Sequence, residues 1–136
     1  MDTSGLDHIN LTVSDLERSR QFYADLLGFE LDQIPLDYAN PFAAGSYYFM
    51  VGNVEIVLVT HPSTSSVDRF NETRPGLDHL SFKAPNEAAL VALVKTLDEA
   101  RVENSGMQVY APNGKRYVVF RDPDNIQLEY WLDTES

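Results

Sequence analysis

The 136-residue sequence predicts an α+β fold built from two tandem βαβββ modules. Three observations predict it. An Asp-His strand motif occurs twice, a capped amphipathic helix follows each copy, and a turn-linked pair of strands closes each half. Such repetition decides an architecture, because each copy is one supersecondary unit that needs its neighbour to bury a common core.

The first strand is read from residues 6–13. Alternation puts Ile9, Leu11 and Val13 on one face and His8, Asn10 and Thr12 on the other, the pattern of a half-buried strand. Residues 77–84 repeat it, with Leu80, Phe82 and Ala84 apolar and His79, Ser81 and Lys83 opposite. After the first strand, Ser14-Asp15-Leu16-Glu17 has the form of a capping box. Leu16, Tyr23, Leu26 and Leu27 then recur at helical spacing up to Gly28, a helix-stop residue. After the second strand, Asn86 is placed to cap a helix striped by Leu90, Leu93, Val94 and Leu97.

A hairpin follows in each half. In the first, residues 47–51 and 54–60 flank Gly52-Asn53; in the second, residues 116–121 and 126–132 flank Asp122-Pro123-Asp124-Asn125. Residues 35–46 and 104–114 read as loops, of the kind that often select substrates at the mouth of a site. Residues 62–76, rich in Ser, Thr, Pro and Asp, read as a linker. The expected organisation is one domain over 1–136, with module one at 5–61, the linker at 62–76 and module two at 77–133.

Composition narrows the partners. With 43% hydrophobic and 23% charged residues the chain is ordinary for a folded globular protein. A formal charge of −11 opposes binding to a phosphate backbone, so nucleic acid is not an expected partner. No apolar run reaches the roughly 20 residues of a membrane helix, and Met1–Gly5 lacks the start of a secretory signal. Without cysteine there are no disulfides, thiolate ligands or thiol nucleophile, so any metal is held by nitrogen and oxygen, and a cytoplasmic location is expected.

Two of the three histidines, His8 and His79, occupy equivalent positions on the polar face of a repeated strand. If the modules pair about a pseudo-twofold axis, the two imidazoles converge. Glu129 supplies a third arm, since alternation through 126–131 sets Gln127, Glu129 and Trp131 opposite Ile126, Leu128 and Tyr130. Two imidazoles and a carboxylate leave coordination positions open for water or substrate, which points to a catalytic metal. The competing explanation is that each histidine only hydrogen-bonds its neighbouring aspartate and that Glu129 makes an ordinary salt bridge.

The residues that carry a family likeness are Leu6-Asp7-His8-Ile9-Asn10-Leu11-Thr12-Val13-Ser14-Asp15-Leu16-Glu17-Arg18-Ser19, Phe22-Tyr23, Leu27-Gly28-Phe29, Gly76-Leu77-Asp78-His79 and Phe120-Arg121-Asp122-Pro123-Asp124-Asn125. Together they resemble the vicinal oxygen chelate superfamily, the glyoxalase, bleomycin-resistance and extradiol dioxygenase group. The resemblance implies a cupped mixed sheet around one divalent metal ion (Fe, Mn, Zn or Ni), held here by His8, His79 and Glu129. It implies a small-molecule substrate and, from relatives with short chains, a homodimer. The activity expected is that of a metal-dependent enzyme, a glyoxalase-like lyase or isomerase, a dioxygenase, or a thiol or epoxide transferase. The alternative is a non-catalytic protein that binds an antibiotic or other small molecule.

Glyoxalase-like members use a fourth ligand on the last strand of the first module. Setting Gly52-Asn53 over Asp124-Asn125 puts Val57 at that position and pairs Glu55 with Gln127. Two residues are about 6.6 Å along a strand, so Glu55 reaches the metal as a fourth ligand only through a register slip or bulge; it is otherwise the first-module strand carboxylate placed to act as a catalytic base. The three-ligand pattern is nearest to fosfomycin-resistance and dioxygenase-like members. Those carry a tyrosine where this chain has Val119, and Tyr117 lies two residues earlier on the same face. Candidate substrate-binding residues are Asn10, Tyr117, Arg116 and Trp131; Phe49 is a further candidate for the wall of the site, with core packing as its alternative.

Overall fold

A computed structural model describes residues 1–133 of the chain; the last three residues of the predicted 1–136 domain lie outside them. It has two compact units, which divide between Asp68 and Arg69.

In the first unit, strand β1 (His8–Thr12) leads into helix α1 (Leu16–Arg20) and a π-helical segment, Gln21–Leu26. Short β2 (Asp32–Gln33), β3 (Tyr47–Val51) and β4 (Val54–Val59) follow. The four strands form one sheet in the order β1-β4-β3-β2, with β1 parallel to β4 and the other pairs antiparallel. Alternation is obeyed in β1, where Leu11 is buried while His8, Asn10 and Thr12 are exposed, and Phe49 is buried in β3; β4 is buried on both faces from Ile56 to Val59. Phe49 packs with Phe29 at a ring-centroid distance of 4.5 Å and with Tyr23 at 5.6 Å, so it belongs to the core and not to a site wall.

Two local expectations change. The cap of α1 is Asp15, whose carboxylate accepts from the Arg18 backbone N–H at 3.0 Å. The cap is thus one residue later than the Ser14 of the expected capping box, whose hydroxyl accepts from the Arg18 guanidinium while Glu17 accepts from Arg20. The helix also does not continue regularly to Gly28. The Leu27 N–H reaches back to the Phe22 carbonyl, and this wider turn buries both Phe22 and Tyr23 where a regular stripe places Tyr23 alone. Gly28 then ends the segment with φ of 84°.

The second unit repeats the plan with β5 (His79–Ala84), α2 (Glu87–Glu99), β6 (Gln108–Tyr110), β7 (Lys115–Arg121) and β8 (Gln127–Leu132), in the sheet order β5-β8-β7-β6. Asn86 caps α2 by accepting from the Ala89 N–H at 2.9 Å. Leu90 and Leu97 of α2, Val118 and Phe120 of β7, and Leu128 of β8 form the buried core. Strand β6 lies inside the predicted loop at 104–114. It is exposed along its whole length, so it shows no burial alternation that a sequence pattern could register.

The predicted linker at 62–76 is partly structured. The Phe70 N–H donates to the Asp124 carbonyl, Asn125 donates to the Phe70 carbonyl, and Glu72 pairs with Arg121 at 2.7 Å. Hydrogen bonds from Arg121 hold the Glu72 carboxyl at about 2, and the same contacts raise the Arg121 pKa. A depressed carboxyl contributes stability above the ordinary carboxylate range and loses it as pH falls through its folded value. Wild-type chain should therefore outlast Glu72→Gln in urea at neutral pH, and the gap should close as pH drops toward about 2. A gap that is constant with pH would show that this pair contributes nothing through ionisation.

Together the two units give an α+β fold of two tandem modules with matching strand order.

Candidate metal centre

The strand registers fix which residues correspond. His8 lies opposite Glu55 and His79 opposite Gln127; Asn10 lies opposite Val57 and Ser81 opposite Glu129. Val57 therefore occupies in the first unit the position that Glu129 occupies in the second.

Each histidine is held in the same way. The His8 Nδ1 lies 2.6 Å from an Asp7 carboxylate oxygen, and the His79 Nδ1 lies 2.7 Å from Asp78. A carboxylate only accepts, so Nδ1 carries the proton and donates. In the neutral imidazole Nε2 then keeps its lone pair. That is the tautomer in which metal-binding histidines are typically fixed by a carboxylate on the other nitrogen. The aspartate contact and metal ligation use different atoms of the ring and are compatible.

In the second unit His79 and Glu129 meet. The His79 Nε2 is 3.6 Å from Glu129 Oε2, and the glutamate side chain is 12% exposed. A lone-pair nitrogen facing a carboxylate oxygen is an arrangement that a shared cation suits. Metal–nitrogen and metal–oxygen bonds of about 2.0–2.2 Å let one ion touch both atoms at that separation.

Three donors converge on the same carboxylate. The Ser81 hydroxyl reaches Oε2 at 2.9 Å, the Trp131 indole N–H reaches Oε2 at 2.6 Å, and the Gln127 amide reaches Oε1 at 3.0 Å. Trp131 stacks on Tyr117 with centroids 4.3 Å apart and planes 8° apart, and Tyr110 meets it edge-on at 5.5 Å. Val119 sits directly across from Glu129, and Tyr117 across from Trp131. The donor role of Gln127 was not anticipated. Its readable signal was parity, since it stands two residues before Glu129 on the same strand.

Other predicted residues lie elsewhere. Arg116 shares the parity of Val118 and Phe120, on the helix side of the sheet, where it pairs with Glu87 of α2. As a substrate-binding candidate it is thereby separated from the face that carries Glu129. Asn10 is exposed on the His8 face, and Glu55 is half-buried beside His8 and Met50. His8 belongs to the first unit, with its side chain 54% exposed. Among the described residues no set of three His, Cys, Asp or Glu side chains gathers around one point. No helix among them is long and apolar enough to cross a membrane.

Comparison with known proteins agrees with the repeat. A model of the Glyoxalase/Bleomycin resistance protein/Dioxygenase superfamily matches residues 5–130. The uncharacterized protein YwkD of Bacillus subtilis is 31% identical over 132 residues, covering 93% of this chain and 94% of its own. The crystal structure of a glyoxylase/bleomycin resistance protein/dioxygenase domain from a Frankia species has a TM-score of 0.80 at 33% identity, covering 96% of this chain and 98% of that one. Lactoylglutathione lyase from Agrobacterium tumefaciens, with a TM-score of 0.69 at 20% identity and coverage of 96% and 95%, shares the fold. The chain belongs to the Glyoxalase/Bleomycin resistance protein/Dioxygenase superfamily, which includes enzymes.

Proposed function

We propose that the protein is a divalent-metal-dependent enzyme acting on a small oxygen-bearing molecule, with His8, His79 and Glu129 as the metal ligands. The observation that carries this is the His79 Nε2 lying 3.6 Å from Glu129 Oε2, with the Asp-His contact repeated at His8. When bound, the metal would supply Lewis-acid polarisation of a carbonyl, hydroxyl or enediolate oxygen. Imidazole and carboxylate suit Fe, Mn, Zn or Ni.

The chain's own residues complete the assignment. Asp7 and Asp78 hold the imidazoles in the ligating tautomer. Glu55, next to His8 in register, is the candidate general base. Asn10, Tyr117 and Trp131 are the candidate substrate contacts. Arg116, engaged with Glu87, is set aside.

The test is turnover. Metal-free protein, reloaded separately with Fe(II), Mn(II), Zn(II) and Ni(II), is assayed on catechols, hemithioacetals and epoxides. At least one metal should give turnover that Glu129→Ala abolishes. Metal-independent binding of such molecules, with no turnover under any loading, would instead establish a non-catalytic binding protein.

A further inference from the structure

We infer, on the basis of the metal-dependent function proposed above, that Trp131 is a positioning residue whose indole N–H sets the Glu129 carboxylate in its metal-binding orientation. Its bond to Oε2, at 2.6 Å, is the shortest of the three that reach this carboxylate from Ser81, Gln127 and Trp131.

The three donors differ in what they can hold. A serine hydroxyl turns about a single bond, and a glutamine amide sits at the end of a side chain with three rotors. The indole has a rigid ring, and here that ring is clamped, with Tyr117 stacked on it and Tyr110 against it edge-on. The N–H direction is therefore fixed by packing, and it fixes the carboxylate in turn. Ser81, on the same oxygen, can rotate its hydroxyl toward another acceptor.

The first unit supports the pairing of ligand with donor. Aligned through the two hairpin turns, the positions of Glu129 and Trp131 are filled there by Val57 and Val59, both buried. Where the carboxylate is absent, the indole is absent too. Partners that orient a ligand typically contribute 10- to 100-fold to metal affinity.

The experiment compares Zn2+ affinity by chelator competition on the full chain, for wild type, Trp131→Phe and Ser81→Ala. Trp131→Phe keeps a ring against Tyr117 and removes the N–H. It should weaken Zn2+ binding about 10- to 100-fold, whatever the accompanying change in metal-free melting temperature; Ser81→Ala should lose less. A lowered metal-free melting temperature with unchanged affinity would show a packing role and overturn the inference. Unchanged affinity and unchanged stability would overturn it as well, leaving the metal site standing. A wild-type chain that binds no Zn2+ would remove the metal site and the inference together.

Should Trp131→Phe fail to fold, Tyr117→Leu unclamps the indole while keeping its N–H. Loss of affinity there supports the positioning role, and full retention overturns it. Trp131 is the single tryptophan of the chain, so quenching or a shift of its emission on Zn2+ addition reads the same contact in wild type and in Tyr117→Leu.

Discussion

Leu128→Ala is expected to destabilise the protein by about 2–5 kcal/mol, the range for removing a fully buried leucine side chain. Leu128 has no exposed surface and lies mid-strand in β8, flanked in register by Leu80 of β5 and Phe120 of β7. The backbone hydrogen bonds of three strands hold that position, so the space left by the side chain cannot readily collapse. Leu58, equally buried in β4, should behave alike. Met50→Ala is the control, because that side chain is 55% exposed and surface changes usually stay within about 0.5 kcal/mol. Urea unfolding measures all three. A loss below about 1 kcal/mol for Leu128→Ala would mean that the site relaxes around the cavity, against the packing described here.

Leu128 was legible in the sequence because strand alternation has a period of two and its face of β8 is buried. The same rule located the faces of β1, β5 and β8 and the equivalence of Val57 with Glu129, which the strand registers match. It also carried information that was not used. Arg116 has the parity of Val118 and Phe120, so its place on the helix side followed from alternation alone.

What stayed hidden depended on competition between near-equal local options. Ser14 and Asp15 are both good helix caps, and Asp15 takes the position while Arg18 engages the Ser14 hydroxyl. The wide turn after α1 is set by burial of two adjacent aromatics, which no helical period encodes. The three donors on Glu129 come from two strands, and a contact between residues 81 and 129 is invisible to a local pattern.

The proposed site reads in the sequence as a pair of repeated histidines and a strand carboxylate. The aspartate contacts, offered by the sequence as an alternative to metal binding, are compatible with it. Asp7 and Asp78 occupy Nδ1 and leave Nε2 with its lone pair. On the proposed ligand set, removing either ring should cost metal binding as much as removing Glu129 does. A set of two ligands holds a divalent ion far less tightly than three, and neither Asn10 nor Ser81 offers an imidazole in replacement.

Under the proposed ligand set, His8→Ala and His79→Ala should each abolish metal binding while leaving the strands intact, because both side chains stand on exposed faces of β1 and β5. His8→Ala is the more searching of the two, since His8 belongs to the first unit while His79 and Glu129 belong to the second. The direct measurement is metal content per chain by mass spectrometry, on native protein and on both variants, with circular dichroism to confirm folding. The account predicts one divalent ion per wild-type chain and none in either folded variant. A metal-free wild type, or a folded His8→Ala variant that retains the full ion, would contradict it.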